Sequence, residues 1–148
     1  MSEHLSISKA LEAGGIISIN PKGMSMFPFV KDTDTVIIKR PTEKIKKYDC
    51  ILFYERENVY VLHRVVKLKG DVVITAGDNN LHDDAPINVK DVVGVLDGVY
   101  RNGKYINMYY VKAPLSVRLS CFYPFKVIRI YFYRFLSRIK VFFKRKTV

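Results

Sequence analysis

Cys50-Ile51-Leu52-Phe53-Tyr54 and Val59-Tyr60-Val61-Leu62-His63-Arg64-Val65-Val66 are two β-branched and aromatic runs separated by the polar tetrapeptide Glu55-Arg56-Glu57-Asn58. Such side chains suit a pleated, half-buried surface, so the pair predicts a β-hairpin. The pattern continues outward in both directions. Ile16-Ile17-Ser18-Ile19 and Thr35-Val36-Ile37-Ile38-Lys39 precede the hairpin, and Lys69-Gly70-Asp71 turns the chain into Val72-Val73-Ile74-Thr75-Ala76. Asn102-Gly103, between Gly98-Val99-Tyr100 and Tyr105-Ile106-Asn107-Met108, is a strong signal for a two-residue hairpin turn. Short strands at this spacing predict a mainly β domain over residues 16–113, built as a sandwich or a coiled antiparallel sheet.

The flanks read differently. Residues 1–15 carry Leu5, Ile7, Ala10 and Leu11 ahead of Gly14-Gly15, the pattern of a short helix stopped by glycine. This segment lacks the cationic start and continuous apolar run of a signal peptide, and it is too short to span a bilayer. The net charge of +11 is unevenly placed: residues 1–114 hold 16 Lys or Arg and all 14 acids, whereas residues 115–148 hold nine Lys or Arg and no acid. The tail is therefore expected to be a physical object separate from the body.

From Ile128, apolar residues fall at Ile128, Tyr131, Phe132, Phe135, Ile139, Phe142 and Phe143, a spacing of three and four that traces one face of a helix. Lys126, Arg129, Lys140 and Lys144 are expected opposite, with Arg134, Arg138 and Arg145 on the flank. Basic residues interrupt the stretch too often for a transmembrane span. An aromatic face under a basic one predicts, for residues 114–148, an amphipathic helix lying in a membrane interface. The competing reading is a helix packed on the β body. Nucleic acid ranks third, because it leaves the aromatic face without a role.

Three blocks carry chemistry. Gly23-Met24-Ser25-Met26-Phe27-Pro28 sets one hydroxyl among apolar neighbours, His63 lies within the longest strand, and Gly77-Asp78-Asn79-Asn80-Leu81-His82-Asp83-Asp84 supplies carboxylates. A hydroxyl is a weak nucleophile at neutral pH and needs a base to take its proton. Serine, histidine and carboxylate form such a set, recognised by role rather than position. His82, in a polar turn, and Lys67 and Lys69, beside a glycine turn, are expected to be solvated. Asp83 and Asp84 are adjacent, and the sequence leaves open which one orients the imidazole. Cys50 and Cys121 are far apart in the chain and define neither a metal site nor a disulfide framework. No cofactor motif and no metal-binding spacing is present.

These blocks, together with His63-Arg64-Val65-Val66 and Asp91-Val92-Val93-Gly94, resemble the signal peptidase I superfamily of serine endopeptidases, which includes the LexA-like self-cleaving repressors. The nearest likeness is to the endoplasmic-reticulum and sporulation-type branch, in which a histidine replaces the lysine base. The resemblance spans residues 16 to about 98. It implies Ser25 as nucleophile, His63 as general base, Asp84 as orienting carboxylate and Asp78 as a residue that shapes or assists the site. It also implies a peptide or exported-protein substrate cleaved at or near a membrane, and a coiled antiparallel β fold. Many members have a serine hydroxyl two residues before the nucleophile as an oxyanion donor; here that position is Gly23. Members usually carry a transmembrane anchor before the nucleophile, which residues 1–15 do not supply. Two other readings stand beside the peptidase. One is a non-catalytic β module binding peptide or membrane; the other is a LexA-like self-processing regulator, although no DNA-binding helix pair precedes Ser25.

Overall fold

A computed structural model describes residues 3–56, 59–109 and 113–145. Glu57 and Asn58 of the expected hairpin turn lie outside the described residues, as do the side chains of Lys140, Phe142, Phe143, Lys144 and Arg145. Eight strands form one antiparallel sheet that does not close: β1 (Ile16–Ile19), β2 (Thr35–Lys39), β3 (Cys50–Arg56), β4 (Val59–Lys69), β5 (Val72–Ala76), β6 (Ile87–Asn88), β7 (Val92–Arg101) and β8 (Lys104–Asn107). Their spatial order is β1-β2-β7-β3-β4-β5-β6, with β8 paired to β7. Helix α1 (Glu3–Gly14) precedes the sheet, and α2 (Leu115–Cys121) and α3 (Tyr123–Arg145) follow it.

The β3–β4 hairpin pairs Ile51 with His63 and Leu52 with Leu62. Successive side chains point to opposite faces, and here both faces are buried. Leu52 joins Leu11, Met26, Val36, Ile38 and Val99 in one core, while Ile51 and Phe53 join Val65, Val73 and Val95 in another. The continuous apolar runs of the sequence follow from this double burial. The Asn102-Gly103 turn forms as expected: both residues have positive φ, at 51° and 74°. Helix α1 ends where its glycines predict, with the Gly15 amide bonded to the Leu11 carbonyl at 2.9 Å and φ of 70°. The short β6 pairing was not foreseen from the sequence.

The tail departs from expectation in two ways. It forms two helices instead of one, broken at Phe122, whose backbone is extended (φ −71°, ψ 120°). Pro124 explains the break, since it has no N–H to donate to a preceding turn and suits only the first turn of a new helix. Nor is the tail detached from the body. Val117 and Ile130 are 1 % exposed, Lys126 is 6 % exposed, and Tyr133 meets Phe27 edge-on at 4.9 Å between ring centroids. Residues 126, 130 and 133 share one face of α3, so Lys126, expected to face outward, instead faces the body. The aromatic stripe stays open: Ile128, Phe132 and Phe135 are all more than half exposed. Among the described residues, no helix is long and apolar enough to cross a membrane.

The loop between β1 and β2 is fixed at its far end by Arg101. Its guanidinium donates to both Asp34 oxygens at 2.8 and 2.7 Å and to the Phe29 carbonyl at 2.9 Å. Asp34 is buried, and the hydrogen bonds from Arg101 hold its carboxyl below the ordinary aspartate range despite that burial. A depressed folded-state pKa means that the unfolded chain binds the proton more readily. The stabilisation is therefore complete above the unfolded aspartate pKa of about 3.9 and is lost as pH falls through the folded value. Arg101→Gln is expected to cost about 3 kcal/mol in urea unfolding at pH 7. The difference from wild type should shrink as the pH is lowered through that window.

Candidate active site

Ser25 lies on the β1–β2 loop, His63 near the middle of β4, and Asp84 beyond the turn that follows β5. The sheet brings them together. Ser25 Oγ is 3.0 Å from His63 Nε2, and His63 Nδ1 is 2.7 Å from Asp84 Oδ2. Asp84 is the residue that reaches the imidazole; its neighbour Asp83 turns outward to Lys67 at 3.2 Å. His82, Lys67 and Lys69 are exposed, as expected.

Thr75 on β5 completes the arrangement. Its hydroxyl donates to Asp84 Oδ2 at 2.6 Å, and its carbonyl accepts the Asp84 amide at 2.8 Å. Burial pushes the Asp84 carboxyl up, but the hydrogen bonds from His63 and Thr75 outweigh it and leave the group below the ordinary aspartate range. An ionised carboxylate can only accept, so the proton between it and the imidazole belongs to His63 Nδ1. In the neutral imidazole, Nε2 then carries the lone pair that faces the Ser25 hydroxyl. In that tautomer the imidazole can accept a proton from Ser25.

Asp78, expected to shape or assist the site, makes its side-chain hydrogen bonds to Arg64 and, among the described residues, none to His63. Both its oxygens are occupied by Arg64, whose Nε and Nη2 donate at 2.8 and 2.7 Å, a bidentate pair with both side chains almost fully buried. Arg64 also donates to the Tyr48 carbonyl at 3.0 Å and lies over the Phe29 ring. Arg129 of α3 donates to the Asp78 carbonyl. The role of Asp78 is thus to hold its loop. The next residue in that loop, Asn79, donates its amide to the Ser25 carbonyl at 2.7 Å, so the anchored loop fixes the Ser25 backbone.

Gly77 makes that approach possible. A Cβ there would lie 2.7 Å from the Ser25 carbonyl oxygen and 2.8 Å from Asn80 Nδ2. Gly77→Ala should displace Ser25, and for a reacting group a shift of about 1 Å costs roughly 100-fold in rate. Peptide-cleavage kinetics check this, with Gly94→Ala, which is crowded against Ile38 instead of Ser25, as the steric comparison. Gly23 serves differently: it meets nothing within 4 Å but has a φ of 92°, a backbone conformation that side chains resist.

A cleft of about 730 Å³ runs beside Ser25 and His63. Ile19, Asn20 and Lys22 line it together with Tyr60 and Leu62, and Met26 and Val30 are among its apolar walls. Cys50 is buried, and burial pushes its thiol up to about 12, so it fills volume without offering a thiolate. Among the described residues, no group of three or more His, Cys, Asp or Glu is arranged to hold a metal.

Three contributors went unrecognised in the sequence. Thr75 and Arg64 are polar residues within apolar strand runs, which marks them as candidates for buried partnerships. Arg129 gave no such signal, because its placement depends on how α3 docks. Comparison with protein-family models finds no match for this chain, and comparison with curated proteins finds none either.

Proposed function

We propose that the chain is a serine endopeptidase of the signal-peptidase-like kind, with a coiled β fold of that type, cleaving a peptide or exported protein at or near a membrane. The observation that carries this reading is the continuous relay from Ser25 Oγ through His63 to Asp84, at 3.0 and 2.7 Å. In the first step, His63 Nε2 takes the Ser25 proton as Oγ attacks the scissile carbonyl. The imidazolium that forms is stabilised by Asp84 and then protonates the leaving amine. Water attacks the acyl-enzyme with His63 again as base, releasing the acid product and restoring Ser25. The Ser25 amide is the first candidate donor to the oxyanion, and each such donor is worth about 2.7–4 kcal/mol.

The cleft supports a peptide substrate. Its walls come from the end of edge strand β1 and from β4, so an extended chain laid between them finds backbone partners and apolar side-chain contacts. The test is a peptide library incubated with the full chain and read by mass spectrometry. Cleavage products present with wild type and missing with Ser25→Ala support the reading; identical products from both oppose it.

Membrane association belongs to the same proposal. The exposed stripe Ile128, Phe132 and Phe135 supplies apolar contact, and the basic residues of 115–148 supply about 1 kcal/mol each near an anionic surface, falling off within a Debye length. Phe135→Asp should therefore weaken binding to anionic vesicles at every salt concentration. Arg134→Gln should weaken it mainly at low salt. Vesicle co-sedimentation across a salt series separates the two; equal salt dependence of both variants would remove the interfacial role of the stripe.

A further inference from the structure

A second cavity, of about 380 Å³, lies between the tail helices and the β body, apart from the catalytic cleft. Lys47, Lys67, Arg118 and Lys126 line it, against the single carboxylate of Asp83. Lys126 is the telling member, since it is only 6 % exposed. No hydrogen bond or ion pair to its ammonium is found among the described residues. The neighbouring carboxylates are already engaged: Asp78 by Arg64, Asp83 by Lys67, and Asp84 by His63 and Thr75. Burial pushes the Lys126 ammonium below the ordinary lysine range, the direction of a cation whose hydration has not been fully replaced. Lys126 lines the cavity, so an anion entering there can replace water as the partner of its ammonium.

We propose that this cavity binds a phosphate group carried by the headgroup of an anionic membrane lipid. Donors approaching from α2, α3, β4 and the segment before β3 suit a tetrahedral anion, which accepts in several directions, better than a planar carboxylate. The lipid source follows from the rim. Phe122 and Tyr123 line the cavity and are more than half exposed. The Phe122 ring lies 6.0 Å from that of Phe125, itself exposed at the start of the α3 aromatic stripe. A surface that receives the stripe thereby meets the mouth of the basic cavity.

The proposal is independent of catalysis, and Ser25→Ala should leave it untouched. The full chain is titrated with phosphatidylcholine vesicles containing either phosphatidate or oleate, matched for surface charge. Wild type should bind the phosphatidate vesicles about tenfold more tightly, the effect of roughly one charge-assisted hydrogen bond. Lys126→Met should bind both vesicles equally. Arg118→Gln, at an exposed position where folding is not at stake, should lose several-fold of the preference, while Lys104→Gln at the start of β8 should lose none. In a second arm, inorganic phosphate at millimolar concentration should give saturable shifts of the Cys121 and Lys126 amides by NMR, absent in Lys126→Met. Phosphate shifts without a vesicle preference would overturn the lipid source in favour of a soluble phosphate. Equal binding to both vesicles together with no phosphate shift would overturn the site.

Discussion

Ser25→Ala should lower peptide cleavage by about 10⁶-fold while changing stability by no more than about 0.5 kcal/mol. The loss is large because, in the proposed mechanism, Ser25 Oγ forms the covalent bond on which both halves of the reaction depend. His63→Ala should lower cleavage by a comparable factor, because it removes Nε2, the base 3.0 Å from Oγ in the proposed mechanism. The double variant should be no slower than either single one, since members of such a set act as a unit. Single-turnover kinetics of the three proteins against one cleaved peptide measure this directly. Multiplicative losses would mean that Ser25 and His63 act independently, contrary to the relay.

Asp78→Leu should have the largest effect on stability. It leaves the Arg64 guanidinium, 3 % exposed at its side chain, without its carboxylate, and removing one partner of a buried pair costs about 3–5 kcal/mol. Domains of this size are stable by only about 5–15 kcal/mol, so the variant approaches the unfolding threshold. Arg64→Met combined with Asp78→Leu should recover most of the stability, because paired apolar replacements carry no orphaned charge. Activity should not return with it: the loop that carries the Asn79 contact to the Ser25 carbonyl loses its anchor. Urea midpoints and cleavage rates measured on the same samples separate the two effects.

How much of this was legible beforehand follows from which interactions are local. The strands and the Asn102-Gly103 turn are written in short-range composition, and the structure follows them closely. Ser25 and His63 stood out because their residue types are unusual in their surroundings. The choice between Asp83 and Asp84 was beyond the sequence, because adjacent residues point to opposite sides and only the fold determines which side faces β4. The break at Phe122 was in principle readable from Pro124, but the helical spacing beyond Ile128 dominated the reading. The burial of Lys126 was not readable. Helical periodicity separates an apolar face from a basic one, yet the face that docks on the body includes Lys126 and Arg129 alongside Ile130 and Tyr133. Their partners, the Asp78 carbonyl and the cavity beneath α3, lie about 50 residues earlier in the chain or exist only once the helix has docked.

The central claim is that Ser25 cleaves peptide bonds in proteins at a membrane. Its most direct test compares the N-termini of membrane and exported proteins in cells that carry either the wild-type gene or the Ser25→Ala allele, the variant protein being present at wild-type level. The account predicts a defined set of N-termini lost with Ser25→Ala, lost equally with His63→Ala, and replaced by their uncleaved precursors. Identical N-termini in the wild-type and Ser25→Ala cells would contradict it.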